Sequence, residues 1–301
     1  MASYPIFPEP WLKAPALANH ARVGGGLGGG EGATAPWPFP QPKGHSMHLP
    51  SLTKVKGVFV TGTDTGVGKT WIAAGLTAVL RRWGLSACYF KPVQSGCPEE
   101  SGRLIPTDAR FAKELAGLTE PLEILTPIAL RLPLAPGVAA AREGIDVDLD
   151  RIVRARADLA RRYDLLVTEG AGGLYVPLKG TEFLVLDMIK WLKVPLIVVA
   201  RAGLGTINHT VLTVKAAQQA GVPVAGVVLN RYPAKPSLAE ETNPEVIASL
   251  THVPILGRVP EIPAITSSEG QTSFLAVLDQ VCHALAQSCA ARAFVECMVL
   301  E

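Results

Sequence analysis

Five side chains in this sequence have the types and neighbours that phosphate chemistry uses: Lys69, Thr70, Lys91, Asp108 and Glu169. Lys69 and Thr70 close the stretch Gly57-Val58-Phe59-Val60-Thr61-Gly62-Thr63-Asp64-Thr65-Gly66-Val67-Gly68-Lys69-Thr70. It passes from a short apolar run of β-formers through a Gly- and Thr-rich loop into Gly-Lys-Thr, and a helical pattern of Ile72, Leu76, Val79 and Leu80 follows. Strand, glycine loop, Gly-Lys-Thr and helix together read as a phosphate-binding loop. Backbone N–H groups from Gly66 through Thr70 can point inward, and the helix N-terminus adds positive potential. Lys69 can reach the outer phosphates as a point charge, and the Thr70 hydroxyl stands where a Mg²⁺ ligand is needed. The strict spacing asks for glycine five residues before Gly68; Thr63 is there, with Gly62 one earlier.

The other three residues are read with an ordinary alternative beside each. Lys91 opens Lys91-Pro92-Val93-Gln94-Ser95-Gly96 at the end of a second apolar run, so it is either a surface lysine at a strand end or a charge leaning towards the phosphates. Asp108 opens a helical pattern, as an N-cap or as a metal ligand. Glu169 follows the apolar Leu165-Leu166-Val167-Thr168 and begins Glu169-Gly170-Ala171-Gly172-Gly173. An acid at the tip of a buried strand, where a carboxylate meets a metal, is the Walker-B arrangement. The glycines after it let backbone come close to substrate.

These residues need a scaffold that brings strand ends together, and the pattern supplies one. After Gly57, apolar strands (Ser86–Phe90, Asp164–Thr168, Pro195–Ala200, Pro223–Leu229, Val253–Leu256) alternate with helical patterns. The helices are expected at Thr107–Leu118, Asp148–Tyr163, Phe183–Leu192, Ile207–Ala220 with Gly221 as its stop, Glu245–Leu250 and Gln271–Ser288. Continuous apolar strands between amphipathic helices predict an α/β domain with a mostly parallel sheet and helices on both faces. In such sheets ligands bind at the carboxyl ends of the strands, where Lys91, Glu169, the loop 201–208 and Asn230 fall. The domain is expected over 55–288. Residues 1–54, rich in Pro and Gly, read as a disordered extension, with Met47 just before the first strand, and 289–301 as a tail.

Bulk properties exclude several classes. Of 301 residues 48% are hydrophobic, enough for a substantial core, and the formal charge of +2 gives no electrostatic case for nucleic acid. No apolar run reaches membrane-spanning length, and no charged segment followed by an apolar core marks a secretory signal. The cysteines at 88, 97, 282, 289 and 297 form no Cys-x-x-Cys pair, which suggests reduced thiols in a cytoplasmic protein.

Three segments together, Gly-Thr-Asp-Thr-Gly-Val-Gly-Lys-Thr (62–70), Lys-Pro-Val-Gln-Ser-Gly (91–96) and Glu-Gly-Ala-Gly-Gly (169–173), closely resemble the dethiobiotin synthetase family of P-loop NTPase-like proteins. Gly205-Thr206-Ile207-Asn208-His209, Val227-Val228-Leu229-Asn230 and Gly257-Arg258-Val259-Pro260 resemble further family segments in the expected order, so the likeness covers roughly 57–265. The resemblance implies an enzyme using ATP and Mg²⁺. It would carboxylate 7,8-diaminopelargonate with CO₂, activate the carbamate as a mixed carbamic–phosphoric anhydride, and close the ureido ring of dethiobiotin. It implies catalytic roles for Lys69 and Lys91, a metal among Thr70, Asp108 and Glu169, and phosphate contacts from Gly66, Val67, Gly68, Lys69 and Thr70. Gly170, Ala171 and Gly172 would lie along the nucleotide. Asn230 and Arg231 would stand at its adenine end with Pro260, Glu261 and Ile262. Ser95 would bind substrate, and in a homodimer Thr206 and Asn208 would hold its carboxylate from the neighbouring subunit.

The sequence departs from the family at Pro133-Leu134-Ala135-Pro136-Gly137, where a hydroxyl and an imidazole are missing. The rival reading is a P-loop ATPase switch, or a nucleotide-dependent binding protein of the partition-ATPase type. Those proteins carry a second lysine early in the phosphate loop, and Asp64 stands at that position.

Overall fold

The apolar runs pair side by side in the computed structural model, which describes residues 49–261 and 268–287. They form β1 (Lys56–Gly62), β2 (Ala87–Phe90), β3 (Leu165–Glu169), β4 (Leu196–Arg201), β5 (Val224–Tyr232) and β6 (Ile255–Pro260). The six lie in one sheet in the order β6-β5-β4-β1-β3-β2, every neighbouring pair parallel. β1 is central, with Val60 opposite Glu169 on one side and Phe59 opposite Leu196 on the other. Covered on both faces, β2 and β3 are buried along their whole lengths, which is why their sequences run apolar without alternating. Phe59 is completely buried, and its truncation to alanine would cost about 3–5 kcal/mol.

Helices join the strands: α1 (Lys69–Arg82), α2 (Thr107–Ala116), α3 (Pro136–Glu143), α4 (Leu149–Ala160), α5 (Val185–Leu192), α6 (Thr206–Gln219), α7 (Leu238–Thr251) and α8 (Ser268–Gln287). Most follow the expected patterns to within a few residues. Two do not. α3 falls in a stretch read as loop, although Pro136 at its first turn and left-handed Gly144 after its end are start and stop signals. α7 begins seven residues before the expected Glu245, at a capping box in which Ser237 N–H donates to Glu240 Oε2 at 2.8 Å. Pro244 inside α7 lacks the N–H that would bond the Glu240 carbonyl. The hydroxyl of Tyr232 donates to that carbonyl at 2.7 Å, so the helix continues through the proline with its acceptor satisfied.

The sequence places 49–54 in the extension, but these residues lie against the folded chain. Leu49 and Leu52 pack on the core, Trp191 Nε1 donates to the Pro50 carbonyl at 3.0 Å, and the buried Arg156 guanidinium donates to the Thr53 carbonyl. The remainder of the extension, residues 1–48, and the tail 289–301 lie outside the described residues. Among the described residues, no helix is long and apolar enough to cross a membrane.

Candidate active site

The phosphate loop joins β1 to α1, and its shape follows from its small residues. Gly66 and Gly68 have φ of 74° and 98°, the left-handed region that favours glycine. A Cβ on Gly68 would lie 2.0 Å from Asn230 Nδ2, and one on Gly62 would lie 2.6 Å from Val67 Cγ2. Thr63 is not among the described residues of positive φ, so the backbone there accommodates a side chain, and its N–H donates to the Val199 carbonyl at 3.0 Å. Asn230, at the end of β5, donates through Nδ2 to the Val67 carbonyl at 2.8 Å. Lys69 Nζ donates to the Asp64 carbonyl at 2.9 Å, curling the side chain back over the loop. Burial lowers the Lys69 pKa to about 8, with Glu169 opposing that shift and Lys91 adding to it. The Asp64 carboxylate accepts Thr65 N–H at 2.7 Å and stands 3.6 Å from Arg201.

The four other residues picked out for phosphate chemistry converge beside this loop. Glu169 Oε1 accepts from Thr70 Oγ1 at 2.9 Å and from Lys91 Nζ at 2.7 Å. Lys91 Nζ also donates to Asp108 Oδ2. Lys91 is thus no surface lysine, and Asp108 is no N-cap: Pro106 holds that position and the Asp108 carboxylate turns to Lys91. Gln94 sets this up, accepting Asp108 N–H at 3.2 Å and donating to Thr107 Oγ1 at 3.0 Å. Burial works to lower the Lys91 pKa, but the Glu169 and Asp108 carboxylates outweigh it and hold the ammonium above its ordinary value. Tyr89, completely buried on β2, donates its hydroxyl to Glu169 Oε2 at 2.6 Å. Burial, with Glu169 and Asp108 nearby, raises its pKa well above the ordinary tyrosine value, so it stays a donor.

Lys69, Thr70, Lys91, Gln94, Asp108 and Glu169 line a cavity of about 870 Å³, within the range of about 300–1,000 Å³ usual for small-molecule sites. Gly66, Gly68, Ser95, Ala171, Gly172 and Arg231 also line it. The residues fit a hard divalent ion. Thr70 Oγ1 and Glu169 Oε1, hydrogen-bonded at 2.9 Å, are close enough for one ion to reach both oxygens. Among the described residues no group of three or more His, Cys, Asp and Glu side chains makes a metal cage. Two carboxylates and a hydroxyl are instead a set with which Mg²⁺ is held alongside substrate phosphates.

The profile of the AAA domain family matches residues 56–269. The ATP-dependent dethiobiotin synthetase BioD of Thermodesulfovibrio yellowstonii is 40% identical over 225 residues, covering 72% of this chain and 94% of that protein. The protein of that name from Anaeromyxobacter dehalogenans is 47% identical over 211 residues, covering 70% and 92%, and that of Bacillus subtilis is 41% identical over 212 residues, covering 70% and 90%. The chain belongs to the dethiobiotin synthetase family. Among solved structures, the MinD cell division protein of Aquifex aeolicus is similar at 15% identity with a TM-score of 0.48, covering 78% of this chain and 98% of that one.

In this dethiobiotin synthetase family member, some expected residues stand away from the cavity. Thr206 is buried at the start of α6, its Oγ1 3.2 Å from Thr210 Oγ1, beside a separate hollow of about 210 Å³ that Thr63, Arg201 and His209 also line. Asn208 is exposed on α6. Pro260 and Glu261 are exposed at the end of β6, where Glu261 N–H donates to the Tyr232 carbonyl at 3.0 Å; Ile262 lies outside the described residues. Arg231 lines the cavity in the left-handed conformation, φ 54°, uncommon for a non-glycine residue. Gly170 is small for packing: a Cβ there would lie 2.7 Å from the Phe59 ring. The divergent segment Pro133–Pro136 forms an apolar wall of the cavity.

Sequence reasoning missed Tyr89 and Gln94. Tyr89 stands two residues before Lys91, which follows directly on the strand Ala87–Phe90, a period-two signal hidden in a uniformly apolar run.

Proposed function

We propose that this chain is an ATP-dependent dethiobiotin synthetase that carboxylates 7,8-diaminopelargonate with CO₂ and closes the ureido ring, releasing ADP and phosphate. The observation that carries this reading is the meeting of Lys69, Thr70, Lys91, Asp108 and Glu169 in one cavity at the phosphate loop. The carbamate, the ATP tail and the phosphoryl group passing between them are all anionic, so catalysis consists mainly of positioned positive charge. The loop backbone from Gly66 through Thr70 cradles the phosphates, and the Lys69 ammonium neutralises them. Lys91, buried and held cationic by its two carboxylates, stabilises charge developing at the γ-phosphoryl oxygens and the carbamate. Ser95 hydrogen-bonds substrate near the carbamate. Thr70, Asp108 and Glu169 would hold a Mg²⁺ ion, which would supply further neutralisation of phosphate charge. In this reading Asn230 and Arg231 serve the adenine end, together with Pro260 and Glu261.

The working unit in this reading is a cytoplasmic homodimer, with Thr206 and Asn208 of the second copy holding the substrate carboxylate. Leu204 is 93% exposed and Leu212 62% exposed beside these residues, apolar surface of the kind a partner covers. The test is phosphate release from ATP and Mg²⁺ with and without diaminopelargonate and bicarbonate, product mass being read in parallel. Release that needs both substrates, with a new mass for the cyclic urea, supports the synthetase. Turnover indifferent to both overturns it.

A further inference from the structure

We propose that Tyr89 is a positioning residue for Glu169, fixing the plane in which that carboxylate meets a divalent cation. The inference rests on the reading of Glu169 as metal-facing. A carboxylate at a strand tip can turn about its side-chain bonds, and its two oxygens are interchangeable unless something distinguishes them. Here Oε1 takes the Thr70 hydroxyl at 2.9 Å and the Lys91 ammonium at 2.7 Å, while Oε2 takes the Tyr89 hydroxyl at 2.6 Å. Among the described residues Tyr89 is the donor recorded on Oε2.

The tyrosine is suited to hold rather than to react. Its side chain is completely buried, on a strand paired in register with the one that ends in Glu169, Tyr89 opposite Val167. It does not line the cavity, so it reaches substrate and metal only through Glu169. With Oε2 tied from behind, Oε1 stays turned towards Thr70, the neighbour with which it would share the ion. Partners of this kind, which orient a metal ligand, typically change metal affinity by about 10–100-fold when removed.

The chain contains its own control. The Tyr163 hydroxyl also donates to a buried carboxylate, Glu120, which does not line the cavity. Tyr163→Phe removes the same kind of hydrogen bond with no ion at stake.

Mn²⁺ serves as the probe, its binding to the full chain with a non-hydrolysable ATP analogue followed by loss of the free-ion electron paramagnetic resonance signal. Affinity is taken per folded site, the folded fraction being read by circular dichroism. Tyr89→Phe is expected to bind Mn²⁺ about tenfold more weakly. Tyr163→Phe is expected to bind it as the parent does, and both variants to bind the analogue alone unchanged. Unchanged Mn²⁺ affinity in Tyr89→Phe overturns the proposal, as does an equal loss in Tyr163→Phe. Glu169→Gln separates the two readings: if it leaves Mn²⁺ binding unaltered, the metal-facing role of Glu169 fails and the proposal with it. If Glu169→Gln weakens binding and Tyr89→Phe does not, only the role of Tyr89 fails.

Discussion

Asn230 Nδ2 lies 2.8 Å from the Val67 carbonyl oxygen, tying the end of β5 to the middle of the phosphate loop across 163 residues of sequence. The same nitrogen fills the space a Cβ on Gly68 would need. Loop and strand end therefore constrain each other. Asn230→Ala would leave a buried carbonyl unpaired, at a cost of about 1–3 kcal/mol. Nucleotide affinity measured by calorimetry should fall by about tenfold or more, since the loop must be reordered on binding. Unchanged affinity would reduce Asn230 to a neighbour of the loop.

Gly68 can be tested from the other side. Gly68→Ala meets both a left-handed φ of 98° and the Asn230 amide, so it should abolish nucleotide binding in the single variant. In the double variant with Asn230→Ala the clash is gone, and backbone strain of roughly 1–2 kcal/mol is left on top of the lost Asn230 hydrogen bond, so binding should return to a level below that of Asn230→Ala alone. Equal loss in single and double variants would put the whole effect on the backbone.

Lys91 lies between two acids. Lys91→Ala leaves buried Glu169 without its counter-charge, a loss on the order of 3–5 kcal/mol in unfolding experiments. Ring closure should fall by roughly 10²–10³-fold or more while ATP analogue binding persists, because positive charge at the transition state is removed and the phosphate loop is kept. Near-normal turnover would remove Lys91 from the chemistry.

Lys69 sets a pH dependence. Its pKa is lowered to about 8, chiefly by burial. Below that pH the ammonium is already charged when phosphates arrive. Above it, binding an anion must draw a proton onto the amine. Nucleotide affinity should therefore weaken as pH rises through 8, with proton uptake on binding there and none well below it. Calorimetry in buffers of different ionisation enthalpy reads the proton directly, and zero uptake across the range would contradict the assignment.

The phosphate loop, Glu169 and the alternation of strands with helices were legible because each is a local pattern: glycines with their lysine, an acid after an apolar run, period against period. What escaped depended on contacts distant in sequence. Asp108 could not be told from an N-cap without Gln94, which is 14 residues away and holds its backbone N–H. Tyr89 looked like core because its ring is core; only its oxygen differs. The length of α7 was hidden by Pro244, whose missing donor is supplied by Tyr232 from another element.

The N-terminal boundary gives a further prediction. Deleting 1–46 should leave fold and activity intact, whereas deleting 1–54 removes the Pro50 and Thr53 carbonyls that Trp191 and Arg156 use. Arg156 is buried, and a group left unpaired there costs about 1–3 kcal/mol, visible as a Tm lower by several degrees in the longer deletion. Equal Tm values for the two truncations would show these contacts to be incidental.

The position of β1 at the centre of a parallel sheet has a consequence in time. Its neighbours begin at Leu165 and Leu196, while β1 itself ends at Gly62. At a synthesis rate of about 5–20 residues per second, roughly 5–20 s pass between the emergence of β1 and that of its first partner. Throughout that interval Val58, Phe59 and Val60, all fully buried in the finished fold, have no strand to pair with. The strand leading into the phosphate loop thus waits with both native edges open, apolar surface and unpaired backbone of the kind that favours aggregation until Leu165–Glu169 arrives.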